Sequence, residues 1–110
     1  MDLESLLEDL ARSPDLEPFR ELIEPLEAYD DERNGGLVRT LRVYFAAGGN
    51  ASEAADRLFL HRNSMLYRLA RIQELTGLDL KDPRARLALH LGLLFTGERE
   101  RSSGYADKHP

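Results

Sequence analysis

Residues 50–77, NASEAADRLFLHRNSMLYRLARIQELTG, decide how this chain reads. Asn50 and Ser52 are both residue types that cap a helix N-terminus, and the short helix they open runs to about Leu58. Phe59, Leu60 and His61 make a tight apolar turn. A longer helix follows over about residues 62–76, with Gly77 placed as its C-terminal cap. At about 100° per residue from Leu69, the side chains Met65, Leu66, Ile72, Gln73 and Thr76 gather within about 60° of one line. Asn63, Ser64, Tyr67, Arg71 and Glu74 fall on the opposite side, with Arg68 at the flank. One face is therefore aliphatic. The other offers amide, hydroxyl, phenol and guanidinium groups, which pair with base edges and phosphates. A short helix, a turn and a longer helix with a cationic free face is the layout of a DNA-reading helix-turn-helix.

The helix before the turn supports this reading. Ala54 and Ala55 are small enough to let two helices cross closely, and Leu58 and Leu60 pin the turn from below. Ser52 and Arg57 are left free to touch phosphate, and helix N-termini add unpaired N–H groups that suit an anion. Periodicity alone is equally compatible with a bundle helix whose polar face is merely solvated. Arg57, Arg62, Arg68 and Arg71 against Glu53, Asp56 and Glu74 is only a mild cationic bias.

The chain has 110 residues, enough for one small core. Its 42% hydrophobic and 32% charged residues fit a globular protein. Absent cysteines exclude disulfides and thiolate metal sites and suit a cytoplasmic setting. No apolar run approaches the roughly 20 residues that span a bilayer, and MDLESLLEDL lacks the basic region of a signal peptide. The net charge of −5 is unevenly spread. Residues 1–36 carry 12 acidic and 3 basic side chains, whereas residues 37–110 carry 8 acidic and 12 basic. Local patches matter for phosphate because charges beyond about 10 Å are largely screened. The acidic third reads as a separate helical lobe turned away from DNA.

Outward from the central stretch the chain reads as all helix. Leu3, Leu6, Leu7 and Leu10 keep amphipathic spacing behind an Asp2 cap. Ser13-Pro14 restarts a helix, and Pro18 and Pro25 predict a broken or kinked pair of short helices up to about Tyr29. Asn34-Gly35-Gly36 is the clearest break. Leu37, Leu41, Tyr44 and Phe45 share one face of a helix over about residues 37–47, stopped by Gly48-Gly49. A last helix begins at Pro83 and ends at Gly97. Its Leu87, Leu89, Leu91, Leu93, Leu94 and Phe95 predict burial on more than one side, against its own core or a second copy.

Residues 37–94, from LVRTLRVYFAAGGN through HRNSMLYRL to DPRARLALHLGLL, resemble the C-terminal helix-turn-helix of the PucR/CdaR family of bacterial transcription regulators. PLEAYDDE, residues 25–32, resembles the acidic helix that precedes this domain in the family. The Gly-Asn and Ala-Ala core is similar to the factor for inversion stimulation and to NtrC-type activators. Phe59 departs from those relatives, which tend to have Gly there. Its bulk implies a turn packed into its own core rather than a tighter, left-handed one. The resemblance implies that His61, Arg62, Asn63 and Ser64 lie where the recognition helix enters the groove, with Tyr67, Arg68 and Arg71 farther along it.

Other chemistry finds little support. His61 and Ser64 lack an acidic orienting partner and an oxyanion loop, so no catalytic site is read. His61 reads equally as a capping residue. His90, on the apolar last helix, reads as a core or interface histidine, and three scattered histidines make no metal site. Arg84 and Arg86 form a helix-start cluster, with Arg86 placed to bridge to another element. No cofactor is expected.

The sequence therefore predicts an all-α helical bundle with a Fis-like helix-turn-helix. Residues 1–36 form an acidic helical segment, residues 37–97 the DNA-binding domain and residues 98–110 a disordered tail. The expected partner is double-stranded DNA, bound by a non-enzymatic homodimeric regulator with DNA contacts at Ser52, Arg57, His61, Arg62, Asn63, Ser64, Tyr67, Arg68 and Arg71. Any effector would be sensed outside these residues, and no membrane is involved. An architectural DNA-bending protein and a helical protein-binding adaptor are the alternatives.

Overall fold

A computed structural model describes residues 2–94. The expectations for Phe95, Gly97 and the 98–110 tail lie outside the described residues. Local caps set the order of the helices. Asp2 accepts a hydrogen bond from the Glu4 amide at 3.3 Å and opens α1 (Leu3–Ala11). Ser13 does the same for Asp15 at 3.2 Å, starting a single 3₁₀ turn, Pro14–Leu16, that runs into α2 (Glu17–Arg33). Then follow α3 (Leu37–Ala46), α4 (Ala51–Arg57) and α5 (Arg62–Thr76). Residues 83–94 are helical and are called α6.

The predicted break within residues 14–29 is absent. Pro18 lies in the first turn of α2, where an amide hydrogen has no intrahelical acceptor. Pro25 sits inside the helix, yet α2 continues through it. An interior proline costs about 3 kcal/mol. The fully buried Ile23 and Leu26 on either side of Pro25 anchor both flanking turns and offset it.

Those two side chains belong to one core with Leu37, Val38, Leu41, Tyr44, Ala54, Ala55, Met65, Ile72, Leu80, Leu89 and Leu93. Within the acidic segment α2 is thus part of this core and not of a separate lobe, because it packs against both α3 and α5. The break at residues 34–36 joins two helices of one core. Asn34 (φ 55°) and Gly36 (φ 66°) both take left-handed backbone. A side chain at Gly35 would strike the Tyr29 ring. Because Gly36 cannot cap α3 with a side chain, Asp30 of α2 does so from a distance. Its Oδ1 accepts from the Leu37 amide at 2.7 Å and its Oδ2 from the Val38 amide at 3.0 Å. A carboxylate there also meets the positive end of the helix dipole.

On the other side, α6 presses Ala85, Leu89, Gly92 and Leu93 inward. A Cβ at Gly92 would meet the Phe19 carbonyl oxygen and come within 2.7 Å of Ile23 Cγ1, so glycine sets how closely α6 approaches α2. The described part of α6 is buried on one face only. Leu87 is 62% exposed, while Leu91 and Leu94 are half-buried, which corrects the all-round burial expected from its leucine content. Arg86 bridges as expected: its Nε donates to the Leu80 carbonyl at 2.6 Å and its guanidinium lies 5.9 Å from the Tyr44 ring centre. Leu3, Leu6, Leu7 and Leu10 of α1 all remain exposed.

His90 stacks on Phe45 with ring centres 4.1 Å apart. Partial burial, and then the nearby Arg86, lower its pKa from the ordinary histidine value. The unfolded chain therefore binds the proton more readily than the folded one. The His90 contribution is whole above about pH 6.5, declines as pH falls below that, and is lost once pH passes the folded value. Between pH 7.5 and pH 5, wild type should lose more thermal stability than His90→Phe, which keeps the stack without the titration. Equal losses would refute this assignment.

Candidate nucleic-acid interface

The turn from α4 to α5 is built from hydrogen bonds that can be followed atom by atom. Asn50, not Ser52, caps α4, its Oδ1 accepting from the Glu53 amide at 3.0 Å. At the far end the Phe59 amide donates to the Asp56 carbonyl at 3.2 Å and the Leu60 amide to the Ala55 carbonyl at 2.9 Å. This paired closure requires left-handed backbone at the residue between. Phe59 supplies it, with φ 55° and its side chain 96% exposed. Both halves of the expectation for Phe59 are overturned. The aliphatic room beneath the turn is taken by Leu58 and Leu60, which pack on the core and leave the phenyl ring outside.

His61 then caps α5, its Nδ1 accepting from the Asn63 amide at 3.1 Å. That bond fixes Nδ1 as an acceptor and leaves Nε2 to carry the proton of a neutral ring. Met65 and Ile72 seat the helix in the core, and Gly77 (φ 72°) ends it. Leu66, expected in the buried stripe, is 45% exposed. Only Met65 and Ile72 of α5 are fully buried, with Leu69 and Leu75 partly buried against the core where α2, α3 and α4 pack on the helix.

The candidate residues divide by what holds them. Ser52, Arg57, His61, Arg62, Asn63, Ser64 and Tyr67 are exposed. Arg57 pairs with Glu53 at 3.0 Å, an exposed ion pair worth about 1 kcal/mol or less and readily exchanged for a phosphate. Arg62 has no hydrogen-bond or ion-pair partner among the described residues. Arg68 and Arg71 are half-buried. Arg68 NH1 donates to Thr40 Oγ1 at 3.1 Å and packs over Gly36. The fully buried Thr40 hydroxyl in turn donates to the Gly36 carbonyl at 2.7 Å, so its polar atom is satisfied. Arg71 donates to Glu74 at 2.9 Å and to the Tyr67 hydroxyl at 2.9 Å. Its guanidinium also lies 5.6 Å from the Tyr29 ring centre and 5.5 Å from that of Tyr67. The hydrogen bond from Arg71, then the nearby Tyr29, holds the Tyr67 phenol below its ordinary pKa, while the bond to Tyr67 raises that of Arg71.

Sequence reasoning missed Tyr29 and Asp30. Tyr29 of α2 faces α5 across an open cleft that also takes in Asn34, Leu60, Asn63, Ser64 and Tyr67. Asp30 holds the start of α3. Both fell within a run of carboxylates that follows a solvated-surface pattern, and only the α2–α3 reversal turns them inward. Among the described residues no cluster of histidine and carboxylate side chains could hold a metal ion, and no helix is long and apolar enough to cross a membrane.

Residues 37–95 match the PucR C-terminal helix-turn-helix domain. The chain belongs to the PucR helix-turn-helix family. It is similar to the proline-responsive transcriptional activator PutR of Bacillus subtilis, with 39% identity over 64% of this chain and 17% of that protein. The purine catabolism regulatory protein of the same organism is 41% identical over 60% of this chain and 12% of its own length. The carbohydrate diacid regulator of Escherichia coli is 42% identical over 72% of this chain and 21% of its own. The chain thus spans about a fifth or less of these relatives, all named as regulators. No solved structure matches it. Within the PucR match lie both helices of the motif, the Phe59 turn and α6, whereas Tyr29 and Asp30 fall before it.

Proposed function

We propose that this chain binds double-stranded DNA in a sequence-specific way and regulates transcription in the cytoplasm. The N-terminal half of α5 enters the major groove, residues 37–97 form the DNA-contacting unit and residues 1–36 brace it. One observation carries the reading. Asn63 and Ser64 stand exposed on the face of α5 turned away from its core stripe, and Arg62, the first residue of the helix and on the stripe side, is also exposed and has no partner among the described residues. His61 and Tyr67 extend that surface, while Ser52 and Arg57 address the flanking phosphates. Arg68 and Arg71, held by Thr40, Glu74 and Tyr67, position the helix first and meet phosphate second.

One such module covers few base pairs, so the working species is a homodimer on a roughly palindromic site with half-sites about 34 Å apart or a multiple of that. The exposed leucines of α1 and Leu87 of α6 are the candidate dimer surfaces. Effector sensing, if there is any, belongs to regions outside these residues. The relatives' names mention proline, purine catabolism and carbohydrate diacids, which points to regulation tied to small metabolites.

The test is selection of bound duplexes from random DNA, followed by footprinting and a salt titration. A discrete two-part footprint and a fall of log affinity with log salt of about 0.9 per phosphate contact are expected. Broad protection of A·T-rich DNA would instead indicate an architectural protein, and absence of a salt slope a protein adaptor.

A further inference from the structure

Among the described residues, helix ends reach left-handed backbone at Asn34 after α2, Gly48 after α3, Phe59 after α4 and Gly77 after α5. After α3 the closure has the same bonds as after α4, with Gly48 donating to the Phe45 carbonyl and Gly49 to the Tyr44 carbonyl, both at 2.9 Å. Glycine and asparagine enter this conformation at little steric cost. Phenylalanine does not, and at position 59 it gains nothing from the core in return, being 96% exposed. Glycine would hold the same turn without the strain and without an aromatic ring in water. The ring therefore serves something outside the fold.

Its position indicates what. Phe59 is exposed in the turn, two residues before the His61 cap and three before Arg62, next in the chain to the residues proposed to enter the groove. We propose that the Phe59 ring is a DNA-contacting residue, packing on the apolar part of the groove wall, either deoxyribose carbons or the C5-methyl of a thymine. This rests on the DNA-binding reading above and adds to it an uncharged contact supplied by the turn. Local strain held at a ligand-facing position fits such a role.

The experiment compares wild type, Phe59→Gly and Arg62→Ala on a duplex selected by the wild-type chain, together with a copy in which every thymine is replaced by deoxyuridine. Phe59→Gly should keep or raise the melting temperature, lower affinity about five- to tenfold, and leave the slope of log affinity against log salt unchanged. Deoxyuridine that weakens wild type but not Phe59→Gly supports the methyl group as the contact, and deoxyuridine without effect on either supports the sugar. If Arg62→Ala weakens binding and Phe59→Gly does not, the Phe59 contact is wrong and the DNA-binding reading stands. If the wild-type chain selects no duplex at all, the reading itself fails. A lowered melting temperature for Phe59→Gly would make the ring structural, and a loss of self-association would give it to a second copy; either overturns the proposal.

Discussion

Arg62→Ala should weaken binding to a selected duplex about fivefold to a hundredfold while the melting temperature stays within a degree or two of wild type. The two halves of this expectation have separate causes. Arg62 is exposed and has no partner among the described residues, so truncating it removes no interaction that the fold uses. A bidentate arginine contact to guanine contributes about 1–3 kcal/mol of discrimination, which is the affinity range stated. The pattern of loss identifies the contact. Loss confined to one base position, with specificity relaxed there, makes Arg62 a base reader. Loss that is uniform across sequences, with the salt slope smaller by about one, makes it a phosphate anchor. The same change at Arg68 should behave differently. Arg68 donates to the Thr40 hydroxyl and covers Gly36, so Arg68→Ala should lower stability along with affinity. An Arg62→Ala protein that binds as tightly as wild type would remove the main support for the proposed groove contact.

The helix-turn-helix was legible because each of its signals is local. The bounds expected for α5, the Gly77 cap and the stop at Gly48-Gly49 agree with the structure, since caps and 3.6-residue periodicity act over a few residues. Of the two candidate caps of α4, geometry selects Asn50 because its side chain reaches the Glu53 amide. What the sequence could not show depends on distant packing. Pro25 reads as a breaker until Ile23 and Leu26 are seen anchored on either side of it. Asp30 reads as a surface acid until the left-handed residues at 34 and 36 fold it back over the start of α3. Arg71 shares the wheel's polar side with Ser64, and Arg68 flanks it. Only the approach of α3 and of Tyr29 separates the tethered arginines from the open end of the helix. Phe59 was misread for a related reason: size predicts burial on average, and here Leu58 and Leu60 already fill the space under the turn.

Leu26→Ala tests the claim that the acidic helix α2 shares one core with the proposed DNA-contacting unit. Leu26 is wholly buried, in one core with Leu37, Leu41 and Ile72, although it precedes the residues that match the family domain. Leucine-to-alanine changes in such surroundings cost about 2–5 kcal/mol, the larger values where neighbours cannot collapse into the space. Collapse is restricted here. On one side Asp30 ties α2 to the start of α3, and on the other Gly92 holds α6 against Phe19 and Ile23. The cost should therefore fall in the upper part of that range and appear as a large drop in denaturation midpoint. Because the core is shared, secondary structure in α5 should be lost in the same transition as the rest, with one midpoint by circular dichroism and by Tyr67 fluorescence in a variant whose other tyrosines are phenylalanine. Were residues 1–36 an independent lobe, Leu26→Ala would leave that second midpoint where wild type has it, and a chain starting at residue 37 would fold and bind DNA unaided. The shared core predicts instead that the shortened chain is unfolded, because Leu37, Leu41 and Ile72 would face water where α2 now covers them.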